Sequence, residues 1–386
     1  MRRTTDAGEV TRTLGRRWAE TLSPGEDALF SPSSAFGVLG PVAEAANGDA
    51  RRELSEALGV DPELAGELAR KVITGLGDHM QGGTGFWFHP KASPRPEWVV
   101  ANPYISVGGL PISEEVLNQW VSDTTAGLIT ELPLLPDPQT LLLAVSALSV
   151  DTEWQRPFVV GFGSWLDSEV FYAWLRRSEQ IDTADVGVVH LDNLSLSHVV
   201  VRSTSTLDVH VFAGAVSDTA HQVLVGALDY LEGLGERQAA HEMRVGAAIG
   251  CLRVEEDFFF DERVDVGLPS FDLSCELCLT DHPGEFGLLT ALDPSQGHFD
   301  GFSSYPLCMH QAVQSGFAKF TELGFRAGAV TAMAFMRGAV GLPEEKKRRV
   351  VVEHDRPFAF VAVDRDTEVV HFAGWIETTE PLTSGD

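Results

Sequence analysis

The sequence predicts an α+β fold with largely antiparallel sheets. Apolar residues at helical spacing dominate the first third of the 386-residue chain, apolar and alternating runs dominate the last half, and regular strand–helix–strand alternation is missing. A chain this long has room for two or three domains or for one large mixed fold. No internal repeat and no low-complexity linker splits it, so 1–386 reads as a single domain.

Residues 8–21 read as an amphipathic helix, with Val10, Leu14, Trp18 and Leu22 on one stripe and Ser23-Pro24-Gly25 as its stop. DALF (27–30) gives a short strand. Ser31-Pro32 starts a second helix that runs to about Ala46, with Glu44 its only charge, so burial nearly all round is expected. Asn47-Gly48 ends it, and Asp49 caps a third helix, closed by Gly59. GFWF (85–88) reads as a strand, and Ile112 to Ala126 as a helix capped by Ser113 and ended by Gly127. TLLLAVSALSV (140–150) reads as a central strand buried on both faces. HVVVRS (198–203), LDVHVFA (207–213), CLRVEEDFFF (251–260) and RVDVGLPSFDLS (263–274) read as further strands. RPFAFVAVD (356–364) and EVVHFAGWI (368–376) pair as a hairpin turning near Asp364-Arg365-Asp366.

Composition narrows the function. Apolar residues make up 44 % and charged residues 22 %, the balance of a chain able to bury a core. A net charge of −28 repels nucleic acid and anionic membranes, so neither is expected as a partner. No secretory signal and no membrane-length apolar window is present, so a cytoplasmic location with reduced thiols is expected; export by another route stays open. Cys275 and Cys278 have zinc-like spacing but no second pair, and they read as strand residues, so no metal is expected. His79, His89, His221, His282 and His298 sit in polar contexts and read as solvated, whereas His198, His210 and His371 read as packed within strands. No G-x-S-x-G, Walker, H-E-x-x-H or G-x-G-x-x-G motif occurs, so nothing points to an enzyme or a cofactor.

GFRAGAVTAMAFMRGAVG (324–341) is unusual, with Arg326 and Arg337 as its only charges. At period two, Phe325, Ala327, Ala329, Thr331, Met333 and Phe335 share one face of a possible strand. Exposed low-charge segments of this kind tend to pair edges, which points to a segment kept out of a sheet until something drives it in.

Collinear segments resemble the serpin family, protease inhibitors that insert a loop into a sheet. LFSPSSAFGVLGPVAEAANGDARRELSEALGV (29–60) is similar to its first strand and the two helices that follow, and LNQWVSDTTAGLITEL (117–132) to the helix across its main sheet. LLAVSALSVDTEWQRPF (142–158) resembles the central strand that ends in the family's breach, with Trp154 at the family tryptophan. Leu268-Pro269-Ser270-Phe271, FGLLTALDPSQGHFDGFS (286–303) and Asp355-Arg356-Pro357-Phe358 continue the likeness in order, and the whole reads as a prokaryotic-type member.

The resemblance implies a mobile reactive-centre loop over about 323–345 and a C-terminal hairpin over about 350–378. Its hinge would comprise Glu322, Gly324, Phe325, Ala327, Gly328, Ala329 and Thr331; the scissile bond would follow Arg337 or Gly338, within Arg337-Gly338-Ala339. Trp154 would mark the breach, and Ser31, Ser34, Ser146 and Gln314 the shutter. Phe325 stands where the family has Thr or Ser, and Arg326 where an acid is usual. Ser146 and Gln314 stand where it has Asn and His, and the span from Gly324 to Pro357 is long. Bulk at Phe325 would be expected to slow entry into a packed sheet. The implied function is that of a monomeric, cofactor-free trap for a trypsin- or subtilisin-like serine protease, or for a cysteine protease. The alternative is a non-inhibitory binding protein whose loop is a substrate or docking strand. Lys346-Lys347-Arg348-Arg349 reads as a second cleavage site or as a solvated run that keeps a strand edge from pairing.

Overall fold

The side chain of Asp6 accepts from the amide of Glu9 and opens α1 (Ala7–Ala19), whose Val10, Leu14 and Trp18 are buried as their spacing predicts. The computed structural model describes residues 6–132, 140–165, 171–180, 185–325 and 345–378. After β1 (Ala28–Phe30), Ser31 caps α2 (Pro32–Ala45) by accepting from the amide of Ser34, and every residue of that helix except Glu44 is buried. Gly40 lets α4 (Pro62–Thr74) approach α2, because a Cβ there would lie 2.5 Å from that of Ala69. Between them, α3 (Gly48–Leu58) starts earlier than expected: Asn47 holds the cap position and Asp49 falls in the first turn, where its charge suits the helix dipole. Gly59 closes α3 in the left-handed conformation.

The chain continues through β2 (Met80–Phe88), α5 (Pro96–Ala101), β3 (Ile105–Gly109) and α6 (Glu114–Thr124). Ser113 occupies the cap position of α6, but its side chain makes no capping bond. Leu117 and Val121 of α6 pack with Leu143 and Val145 of β4 (Leu142–Val150), which is buried throughout. Next come β5 (Thr152–Glu153), β6 (Val159–Ser164), β7 (Phe171–Gln180), β8 (Val186–Leu191), β9 (Leu194–Arg202) and β10 (Leu207–Ala213). Helix α7 (Ala220–Leu231) was not anticipated, although Thr219 and Gln222 form a capping box that signals it. The remaining strands are β11 (Glu236–Ala239), β12 (Ala248–Ile249), β13 (Leu252–Phe258), β14 (Arg263–Pro269), β15 (Phe271–Cys278), β16 (Gln311–Phe320), β17 (Gly324–Phe325), β18 (Lys346–Glu353), β19 (Phe358–Asp364) and β20 (Val370–Ile376).

Three sheets result, with orders β1-β20-β19-β10-β9-β8-β11, β12-β13-β18-β14-β7-β6 and β3-β2-β4-β16-β17-β5, β15 adding to β16 in the third. The strand expected over 263–274 is therefore two strands in different sheets, broken after Pro269, which has no N–H to continue a ladder. Strand β18 is not an edge either. It runs between β13 and β14, and Arg349 is bound there by Asp265 at 2.6 Å and Glu255 at 2.8 Å, so acids on both neighbours hold the last residue of the basic run. His298 is buried rather than solvated, with Nε2 2.9 Å from the carbonyl oxygen of Asp293. His198 and His371 are buried, as expected of strand residues. Cys275 and Cys278 lie in β15, and among the described residues no group of three or more His, Cys, Asp or Glu is placed to hold a metal. Among the described residues no helix is long and apolar enough to cross a membrane.

Candidate functional site

Strands β4 and β16 are joined directly and in parallel, in register from Gln311↔Leu143 to Gly316↔Leu148. This seam runs through the middle of the third sheet, and those residues assigned by resemblance that the structure describes lie along it or at its end.

Midway, Gln314 is the register partner of Ser146, and both are buried. The α2 side supplies hydroxyls beneath them. Ser34 donates to Ser146 Oγ at 2.9 Å, and Ser31 donates to the carbonyl of His371 at 2.7 Å while its Oγ caps the helix. The neighbouring Ser33 Oγ lies 3.1 Å from His371 Nδ1. Burial pushes the imidazole of His371 down to about 4, the nearby Asp364 carboxylate opposing that shift and His79 adding to it. Ser31, Ser34, Ser146 and Gln314 are thus brought to one place, and α2 is what brings them.

At the C-terminal end of the seam the chain reverses. Thr321 organises the turn: its amide and its hydroxyl both donate to the carbonyl of Gly324, at 2.9 Å and 3.0 Å, and its Oγ1 accepts from the amide of Gly324 at 3.2 Å. The reversal lays β17 antiparallel on β16 with Phe325 opposite Phe320, and β5 pairs its other side through Gly324↔Glu153 and Phe325↔Thr152. The strands approach so closely that a Cβ on Gly324 would lie 2.1 Å from the carbonyl oxygen of Thr152, so only glycine fits there. Trp154 locks the turn with two bonds of 2.9 Å, its amide donating to the carbonyl of Leu323 and its indole Nε1 to that of Thr321. Phe158 N donates to the carbonyl of Glu322 at 2.8 Å. The side chain of Glu322 is turned inward at 6 % exposure, and its Oε1 has no hydrogen-bond partner among the described residues.

Phe325 is 1 % exposed. Its ring lies 6.4 Å from Trp154 and 6.1 Å from each of Phe360 and Phe372, edge-on to the last two, and Trp154 in turn lies 4.6 Å from Phe320, the two rings tilted by 36°. Bulk at this position was expected to resist entry into the sheet. In the structure the ring already occupies a pocket inside it, because Trp154, Phe320, Phe360 and Phe372 leave a space of that shape. Phe320, Thr321, Phe158, Phe360 and Phe372 were not anticipated as part of the site. The alternation of Phe358 and Phe360 along β19 was the one readable signal of an aromatic wall. Ala327, Gly328, Ala329, Thr331, Arg337, Gly338 and Ala339 lie outside the described residues.

The family model described as serpin (serine protease inhibitor) matches residues 8–161 and 256–378. Serpin-Z2A of Oryza sativa subsp. japonica is 24 % identical, the match covering 99 % of each chain. A serpin-like protein of Methanosarcina acetivorans is 20 % identical over 92 % of this chain and 82 % of its own. Among solved structures, the native state of Tengpin, a thermophilic serpin, superposes with a TM-score of 0.75 at 16 % identity, covering 98 % of this chain and 96 % of Tengpin. Thyroxine-binding globulin in complex with thyroxine superposes with a TM-score of 0.71 at 16 % identity, covering 96 % of this chain and 97 % of that one.

Proposed function

The chain belongs to the serpin family, and from that premise we propose that it inhibits a trypsin- or subtilisin-like serine endopeptidase by a one-use covalent trap. The observation that carries this reading is the state of the seam. β4 and β16 are paired with nothing between them, while β17 already sits against the end of β16 as the first two residues of an antiparallel strand. A segment that continued β17 along β16 would have to separate β4 from β16, and it would replace one ladder by two. Each added ladder bond contributes about 1 kcal/mol net.

The chemistry belongs to the target. Its serine attacks the carbonyl of Arg337 or Gly338, an acyl-enzyme ester forms, and the amine of the following residue leaves with a proton. Arg337 suits an acidic specificity pocket through its guanidinium. The new carboxyl-side end is then free to extend β17. Ala327, Ala329 and Thr331 follow Phe325 at period two, so they enter on the face that Phe325 already buries, where small side chains pass between packed strands with the least resistance. Insertion before deacylation carries the protease along and distorts it.

The test is incubation with trypsin, chymotrypsin, elastase and subtilisin, read on a denaturing gel. A band at the summed mass is expected with at least one of them, and Ala327→Arg or Thr331→Arg should convert that band into a clipped inhibitor with free protease. A covalent complex that survives either substitution would remove the insertion step. Clean clipping of the unmodified protein by all four would support a loop that is only a substrate.

A further inference from the structure

At the end of the second sheet, β13 finishes at Phe258 directly beside Lys346, the first residue of β18. Phe259 to Glu262 turn the chain into β14. Two phenyl rings project from this turn, Phe258 at 52 % exposure and Phe260 at 58 %. The ring between them is fixed: Phe259 lies 3.9 Å below the guanidinium of Arg263 and 5.5 Å from that of Arg349. Both arginines are in turn held by Asp265, at 2.7 Å and 2.6 Å. The turn is therefore a rigid pedestal, and two rings that folding leaves in water can be covered at small entropic cost.

Its surroundings select the occupant. Glu256, Asp261 and Glu262 are exposed, and although Asp261 and Glu262 lie near enough to Lys347 to add to the upward shift that Glu345 gives its ammonium, none of the three side chains closes a hydrogen bond or a salt bridge with a described residue. The cations nearby are largely engaged: Lys347 pairs with Glu345 at 2.7 Å, Arg349 with Asp265 and Glu255, Arg348 bonds the carbonyl of His241, and Lys346 sits 5.7 Å over the Phe258 ring. With a net charge of −28, a second copy of the chain or a nucleic acid is repelled, and a basic surface is attracted. The place matters as well. The chain that carries Arg337 continues into Glu345 and Lys346, and Lys346 lies opposite Phe258, so this turn adjoins the point from which that segment extends.

We infer that the Phe258–Glu262 turn is a second docking surface, on which the basic rim of a cationic serine protease covers Phe258 and Phe260 and faces Glu256, Asp261 and Glu262. The inference rests on the reading that a protease engages the 326–344 segment, and it adds a selection for positively charged proteases beyond the residue at the cleaved bond.

The probe is cationic trypsin with its nucleophilic serine replaced by alanine, so that binding is measured without cleavage; anionic trypsin inactivated in the same way is the contrast. The double variant Phe258→Ser/Phe260→Ser should weaken binding of the cationic form by about tenfold to a hundredfold, since exposed aromatic anchors dominate such interfaces. Glu256→Gln/Asp261→Asn/Glu262→Gln should slow association several-fold and flatten its dependence on salt. Val100→Ser, at an exposed position on α5, is the control and should change nothing. Unaltered thermal unfolding of the variants keeps the comparison clean, because all the substituted groups are exposed. The inference is overturned if the double phenylalanine variant binds within about twofold of the unmodified protein, if the anionic trypsin binds as tightly as the cationic one, or if neither binds. Active cationic trypsin that clips the protein without forming a covalent complex would instead sink the inhibitor reading, while loss of binding in the phenylalanine variant would still support the docking surface.

Discussion

At the C-terminal end of the β4–β16 seam Phe325 lies among Trp154, Phe360 and Phe372; midway along it Ser34 donates to Ser146 and Ser31 to the carbonyl of His371. The first contact is held by buried area and has no proton to exchange. The second is held by hydroxyls, which can turn to other acceptors when strands part. The proposed insertion would keep the seam anchored at one point and open it at another, and that division would serve it. Apolar burial is lost in proportion to the area uncovered, whereas a hydroxyl pair costs little once its partners are satisfied again.

The contrast can be broken most directly at Phe325. Phe325→Ala should destabilise the protein by about 3–5 kcal/mol, the usual penalty for emptying an aromatic site in a core. The measurement is the denaturant midpoint at constant slope. A loss no larger than that of a surface substitution would mean the ring is not seated as described.

Acid should act on the middle of the seam and spare its end. His371 is neutral when folded, its imidazole held at about 4 against the ordinary 6.5, so the unfolded chain binds the extra proton. Its contribution is fully present above about pH 6.5 and is lost as pH falls towards 4, up to about 3 kcal/mol. His354, lowered to about 4, and His210, to about 3, titrate in the same direction, so the diagnostic quantity is the difference between the unmodified protein and His371→Gln. Stability curves that stay parallel between pH 6.5 and 4 would exclude His371 as the acid-sensitive group.

The smallest effect is expected at the hydroxyl pair. Ser146→Ala and Ser34→Ala should each cost about 1 kcal/mol, and the double variant should cost less than their sum because both remove one bond. Strict additivity would show that the two hydroxyls are not coupled.

Much of this fold could be read along the chain. The all-round burial of α2 followed from Glu44 being its only charge, and the burial of β4 from an uninterrupted apolar run. What could not be read were elements whose burial comes from elsewhere. β16 carries Gln311, Gln314, Ser315 and Lys319 and has no strand period of its own; it is buried because β4 and β15 flank it. Residues 321–325 show the same limit. Gly324 and Phe325 stood out in the sequence, but the turn made by Thr321 and the aromatic wall from β19 and β20 arise only when segments far apart in the chain meet.

Strand β1 pairs only with β20, Ala28 opposite Trp375, and β18, β19 and β20 are all interior strands of their sheets. During synthesis the ribosome must therefore produce nearly 350 residues (28 to 375) before the first strand finds its partner. At about 5–20 residues per second the growing chain spends tens of seconds with two of its three sheets lacking central members. The incomplete third sheet can form meanwhile from β2, β3, β4, β15 and β16, all of which come earlier in the chain. The order of manufacture thus makes the seam before it makes the strands that wall the pocket of Phe325, and any chaperone that attends this chain would meet it with β4 and β16 assembled and that pocket still open.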